Sequence, residues 1–226
     1  DYVGAPRNSK FINCTSAMSM WEQMSLAYEY GVDRLWILNV GDLKPMEYPI
    51  TLFHDMAWNP TKYSPKTLFS FTEDFCKRLF GEKEALLAAK ILDTASRFAA
   101  RCTPEMLDKN TYNLESGEWA KVAGDYEKLA EAARTQYARL DANAKDCYRE
   151  LILFPVEAMA NLHAMYYAHA RGDDDEVLRC FKAHRELCDG YNFEIAGGKW
   201  NGMMRQKVIG YTSWSDNSPA DKCPVE

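Results

Sequence analysis

Asn39 ends an otherwise apolar run, Arg34-Leu35-Trp36-Ile37-Leu38-Asn39-Val40, and a turn rich in charge follows it, Gly41-Asp42-Leu43-Lys44-Pro45-Met46-Glu47-Tyr48-Pro49. In parallel α/β sheets and barrels, ligands bind beyond the carboxyl ends of the strands. An amide at that place can orient a water or a sugar hydroxyl, because it accepts and donates at once. Equally, it can satisfy backbone groups where the strand stops. Asp42, Lys44 and Glu47 bring both signs of charge into one turn, so Lys44 either holds an anionic ligand group or pairs with its acidic neighbours. Near the start, Tyr2 is an active-site phenol or a core aromatic. Arg7, after Gly4 and Pro6, lies close to the carboxyl end of the Tyr2-Val3 strand.

The remaining candidates carry less chemistry. His54 and Asp55 would diverge on a helix, since adjacent positions do not share a face. His163, His169 and His184 fall within helical patterns at spacings unlike H-E-x-x-H, and read as packing or surface residues. Asp173-Asp174-Asp175-Glu176 lacks the alternation of a calcium loop and suits a helix N-terminus. The seven cysteines form no C-x-x-C pair and are expected to be free thiols, mostly buried, with no metal site. No G-x-S-x-G, P-loop or G-x-G-x-x-G occurs, so no cofactor is expected.

The elements that position these residues divide in two. Phe11 to Thr15 and Arg34 to Val40 read as strands, the second buried on both faces, with a helix between them opened by a Ser19/Glu22 capping box and stopped by Gly31. This strand-helix-strand order is a βαβ unit. A parallel strand of that kind needs neighbours on both edges, yet residues 1 to 60 supply only two or three strands. An incomplete sheet is expected. From residue 61 the patterns turn helical. Ser64-Pro65 opens a helix ending near Gly81, and a second runs from about Glu82 to Arg101 with Leu86, Ala89, Leu92, Ala95 and Phe98 on one face. Thr103-Pro104 repeats the cap-then-Pro signal. Patterns around Trp119 to Tyr137, Cys147 to Tyr166 (kinked at Pro155) and Val177 to Leu187 complete a bundle of five or so helices, followed by an irregular tail.

Composition agrees with a folded chain. Of 226 residues, 47% are hydrophobic and 27% charged, as in ordinary globular proteins. A net charge of −6 offers no basic field to a phosphate backbone, so nucleic acid is not an expected partner. No apolar run is long enough to span a membrane. The chain opens at Asp1 without Met, and its natural start is expected to lie upstream.

Asp-Tyr-Val-Gly-Ala-Pro-Arg-Asn at 1–8, Trp-Glu-Gln-Met at 21–24 and, above all, Leu-Trp-Ile-Leu-Asn-Val-Gly-Asp-Leu-Lys-Pro-Met-Glu-Tyr-Pro-Ile at 35–50 resemble glycoside hydrolase family 115. So do Met56 to Pro60, Lys199 to Met204 and Ile209 to Thr212. The resemblance implies a mainly α chain, a multi-helix bundle (61–226) preceded by the last βαβ portion (1–60) of a truncated (β/α)8 barrel. It further implies an exported parent enzyme that removes glucuronic acid or its 4-O-methyl ether from xylan or related glycans with inversion, and a glucuronic-acid-bearing polysaccharide as partner. Asn39 and Tyr2 become sugar-site residues, with Arg7, Lys44 and Asp42 as substrate contacts. Inverting hydrolysis needs two carboxyl groups about 6.5 to 9.5 Å apart. In the family these lie on earlier strands, so this chain by itself is expected to be inactive. The alternative is an autonomous helical interaction or carbohydrate-binding module, which would expose Trp200, Tyr211 and Trp214 as a platform.

Overall fold

A computed structural model describes residues 9–211 and 220–225. Among these residues eight α-helices follow one another: α1 (Ala17–Glu29), α2 (Glu47–Trp58), α3 (Leu68–Phe80), α4 (Glu82–Ala99), α5 (Glu118–Arg139), α6 (Ala142–Tyr148), α7 (Phe154–Arg171) and α8 (Asp174–Phe193). Short 3-10 turns occupy Pro104–Met106 and Ile195–Gly198. The helix α4 folds back on α3, α5 on α4, α7 on α5 and α8 on α7, while α1 and α2 pack together beside α3. One apolar core runs through all of them. Most of the helical stability lies in that packing rather than in intrinsic propensity.

The hairpin of α3 and α4 turns on a single residue, Gly81, at φ 80°, a left-handed region that glycine enters without a Cβ clash. The buried residues of α4 are Glu84, Ala85, Ala88, Ala89, Ile91, Leu92, Ser96 and Ala99. Leu86, expected among them, is exposed. Steps of three residues drift by about 60° each around a helix of 3.6 residues per turn, so the stripe drawn through Leu86, Ala89, Leu92, Ala95 and Phe98 could not stay on one face.

Helix α1 begins earlier than the Ser19/Glu22 pattern implies. Ser16 is the N-cap, and its Oγ accepts from the Ser19 amide at 3.2 Å, which places Ser19 inside the first turn. At its other end the Gly31 amide donates to the Tyr28 carbonyl and the Val32 amide to that of Ala27. With Gly31 at φ 87°, this is a Schellman stop. The kink expected at Pro155 takes a specific form: Arg149–Leu153 is a π-helical turn in which the Phe154 amide reaches the Arg149 carbonyl. The wider turn absorbs the missing proline donor.

The two expected strands are not strands here, and none occurs among the described residues. Phe11 to Thr15 is a bend. The Asn13 side chain accepts from the Thr15 amide and donates to the Thr15 carbonyl, both at 3.0 Å, an Asx-type local closure that competes with strand geometry. Phe11 is buried and meets Phe154 edge-on at 5.7 Å. Residues 35–40 form irregular backbone. A ladder requires a second strand, and none lies beside this segment among the described residues.

The entry segment is held by Glu105, whose Oε1 accepts from the Lys10 and Phe11 amides at 2.9 and 3.1 Å. Burial pushes its pKa up to about 7, against the pull of those backbone donors. Glu105→Ala is expected to strip both amides of their acceptor and cost about 1 to 3 kcal/mol, measurable as a fall in the denaturation midpoint.

Candidate functional site

Asn39 sits exposed near the end of the irregular segment. Trp36 and Leu38 pack against the core, and Trp36 Nε1 donates to the Val32 carbonyl at 2.7 Å. Leu35 and Ile37 point the other way and are 71% and 78% exposed. Alternate residues thus serve opposite sides, as in a strand, but one apolar side faces solvent. Immediately after, Gly41 lies so close to Lys10 that a Cβ would meet its Cγ at 2.5 Å. A side chain there would force that of Lys10 to shift.

The turn then dives into the bundle. Lys44 Nζ contacts the carboxylates of Glu47, in the first turn of α2, and Glu150, in the π-helical turn. The same ammonium lies 4.2 Å from the centre of the Trp200 ring, within cation–π range. Asp42 is half-buried and is not one of the carboxylates on Lys44. Burial pulls the Lys44 pKa down, but the two carboxylates outweigh it and the net shift is upward. Glu150 moves up to about 7: burial is the main cause, Glu47 adds to it, and Lys44 opposes it. Tyr191 is buried beside this cluster, and its hydroxyl has no hydrogen-bond partner. Its phenol is pushed up first by burial and then by the charges of Glu150 and Glu47. Of the two roles open to Lys44, ion pairing is the one present in this chain. Its main partner is Glu150, 106 positions away, which no spacing rule could have found.

Met46 and Tyr48 anchor the base of the turn. Both are buried, and the Tyr48 hydroxyl shares a hydrogen bond with Thr72 Oγ1 at 2.8 Å. The structure thus brings Lys44, Glu47, Glu150 and Trp200 together, with Asn39 five residues upstream of Lys44. Tyr2, Arg7 and Trp214 lie outside the described residues. Trp200 and Tyr211 are half-buried, and the Trp200 ring is occupied by Lys44 and, at 4.7 Å, by Lys199.

Elsewhere several ionisable residues have structural partners. Asp55 binds Lys62 and Tyr63, while His54 is exposed and diverges from it. His163 is fully buried, stacks on Tyr126 with ring centres 4.0 Å apart, and uses Nδ1 on the Met159 carbonyl at 2.8 Å. Burial lowers its pKa to about 4. Asp173 is the N-cap of α8 and accepts from the Glu176 amide.

Among the described residues His184 sits in a grouping that looks nucleophilic, with Asp221 Oδ2 at 3.4 Å and Cys188 Sγ at 3.7 Å. Both partners face the same ring nitrogen, Nε2, whereas a working triad divides the two nitrogens between nucleophile and acid. This is a structural lock. None of the seven cysteines forms a disulfide; three are buried and four half-buried. Among the described residues no three His, Cys, Asp or Glu side chains converge to hold a metal ion, and no helix is long and apolar enough to cross a membrane.

Comparison with known proteins locates this arrangement. The model for glycosyl hydrolase family 115 matches residues 1–106. The solved structure of BtGH115A, a family GH115 4-O-methyl-α-glucuronidase with specificity for decorated arabinogalactans, superposes with a TM-score of 0.77 at 26% identity. The alignment covers 90% of this chain and 29% of that one. No curated protein matches the sequence. The family match contains Asn39 and the Lys44 turn, and the chain spans less than a third of the length of the solved structure it resembles; over residues 1–106 it is similar to glycosyl hydrolase family 115.

Proposed function

We propose that residues 1–60 contribute the last strands of a (β/α)8 barrel and residues 61–226 the helical bundle that supports it, in an enzyme that removes glucuronic acid or its 4-O-methyl ether from xylan or a related glycan by inverting hydrolysis. The observation that carries this reading is the segment 35–40: alternate apolar residues face opposite sides, and Leu35 and Ile37 are left exposed. Barrel strands are buried on both faces, so the missing cover is the rest of a barrel and its helices. On this reading Asn39 and Tyr2 contact the sugar or the attacking water, Arg7 and Asp42 help hold the acidic sugar, and Lys44 acts through the turn it anchors. The carboxylic acid and base of the inverting reaction belong to earlier strands, so the chain alone is inactive.

Replacing the exposed pair tests the reading. Leu35→Lys with Ile37→Lys is expected to change the stability of the 226-residue chain by no more than about 0.5 kcal/mol, as for ordinary surface positions. In the enzyme that carries the whole barrel, the same pair would bury two charges and abolish soluble expression or activity. A barrel enzyme that keeps full activity with both lysines sinks the strand assignment.

A further inference from the structure

The π-helical turn Arg149–Leu153 does more than accommodate Pro155. It places Glu150, only 7% exposed, under the ammonium of Lys44, and π-turns recur where a helix carries a functional side chain. Lys44 belongs to the turn that directly follows Asn39. That turn has little slack: Gly41 is pressed against Lys10 at its start, and Met46 and Tyr48 are buried at its end. The groups facing the Glu150 carboxylate are Lys44 and Glu47, with Cys147 and Tyr191 close by. Lys44 is the cation among them, so a change at Glu150 is transmitted to the turn.

We propose that Glu150 is a positioning residue: through Lys44 it clamps the turn 41–46 and so fixes Asn39 relative to the sugar, coupling the helical bundle to the barrel site. This rests on the assignment of Asn39 to the sugar site. Removing Glu150 leaves Lys44 with Glu47 alone, a partner in the helix that follows the turn itself, so the tie from the turn to the π-helical turn is lost and the turn is free to rearrange.

The test uses Glu150→Ala and the isosteric Glu150→Gln in the enzyme containing the whole barrel, with amide exchange of residues 39–46 and steady-state kinetics on a 4-O-methylglucuronic-acid-bearing xylo-oligosaccharide. Glu150→Ala is expected to speed exchange at 41–46 at least tenfold, leave α5 and α7 protected, and lower kcat about tenfold with KM within twofold. Glu150→Gln, which still accepts from Lys44, should restore most of both. Unchanged exchange, or faster exchange with unchanged kcat in both variants, overturns the proposal. Asn39→Ala run alongside separates the causes. Full activity there overturns the Asn39 assignment and the positioning with it, whereas a loss there with a silent Glu150→Ala overturns the positioning alone.

Discussion

Asn39→Ala, in the enzyme that carries this chain together with its barrel, is expected to lower turnover by about a hundredfold or more and leave the melting temperature nearly unchanged. The two effects separate because the apolar packing of the segment comes from Trp36 and Leu38, while Asn39 is exposed in this chain. An amide can orient a water without competing for the proton that a general base must take. A hydrogen bond of that kind, if it strengthens in the transition state, is worth about 2 to 4 kcal/mol. Steady-state kinetics and a thermal melt on the same protein check both halves. Retained activity with lost stability would make Asn39 a structural residue that closes the segment.

The second large effect concerns stability. Asp221 Oδ1 accepts from the amides of Val208 and Ile209 at 2.7 and 2.8 Å, and its Oδ2 faces His184 Nε2. One side chain therefore ties the tail to α8. Asp221→Ala leaves two amides without that acceptor and a buried imidazole without its counter-charge, a loss expected to reach about 3 kcal/mol or more. The loss depends on pH. Burial pulls the His184 pKa down, but Asp221 and Cys188 outweigh it and push it up to about 9 from 6.5. The stabilisation this supplies is complete below 6.5 and disappears as pH rises through about 9. Burial raises the Asp221 pKa, yet His184 and the two amides hold it below its ordinary 3.8. Its contribution is present above 3.8 and fades as pH falls through the lowered value. The difference between wild type and variant should be widest between 3.8 and 6.5, and narrower at pH values above 9. Glu105 and Glu150, raised to about 7, lose their own contributions as pH rises through 7 in both proteins, so they cancel in the comparison. Chemical denaturation across the pH range reads it; a pH-independent difference would leave only the two amide bonds.

The helical bundle was legible in the sequence because its signals are local. Gly81, Gly172-Asp173 and the stripe from Trp119 through Val122 and Tyr126 each act within a few residues of a helix end or face, whereas Ser64-Pro65, expected to open α3, lies in a turn ahead of it, with Thr67 as the N-cap and Leu68 as the first helical residue. Helix α2 was not legible: Pro49 lies within its first turn and Met46 gives no side-chain cap, so the usual start signal is missing. Segment 34–40 reads as a strand by composition, but strand formation depends on neighbours and not on propensity alone. At the site, Asn39 and Lys44 stood out by type and place. Their supports did not, because Glu150 and Trp200 reach Lys44 from far along the chain. The same holds for Asp221 and His184. Contacts closed by tertiary packing leave no periodic trace.

We propose above that this chain carries the bundle and barrel end of a glucuronidase whose acid and base lie on upstream strands. Proton NMR of the anomeric region tests it most directly. The 226-residue chain and the same chain joined to its upstream barrel are each incubated with 4-O-methylglucuronic-acid-bearing xylo-oligosaccharides. The chain alone is expected to release nothing, and the longer protein a free uronic acid that first appears as the β anomer before mutarotation. Turnover by the 226-residue chain alone, or first appearance of the α anomer, would contradict it.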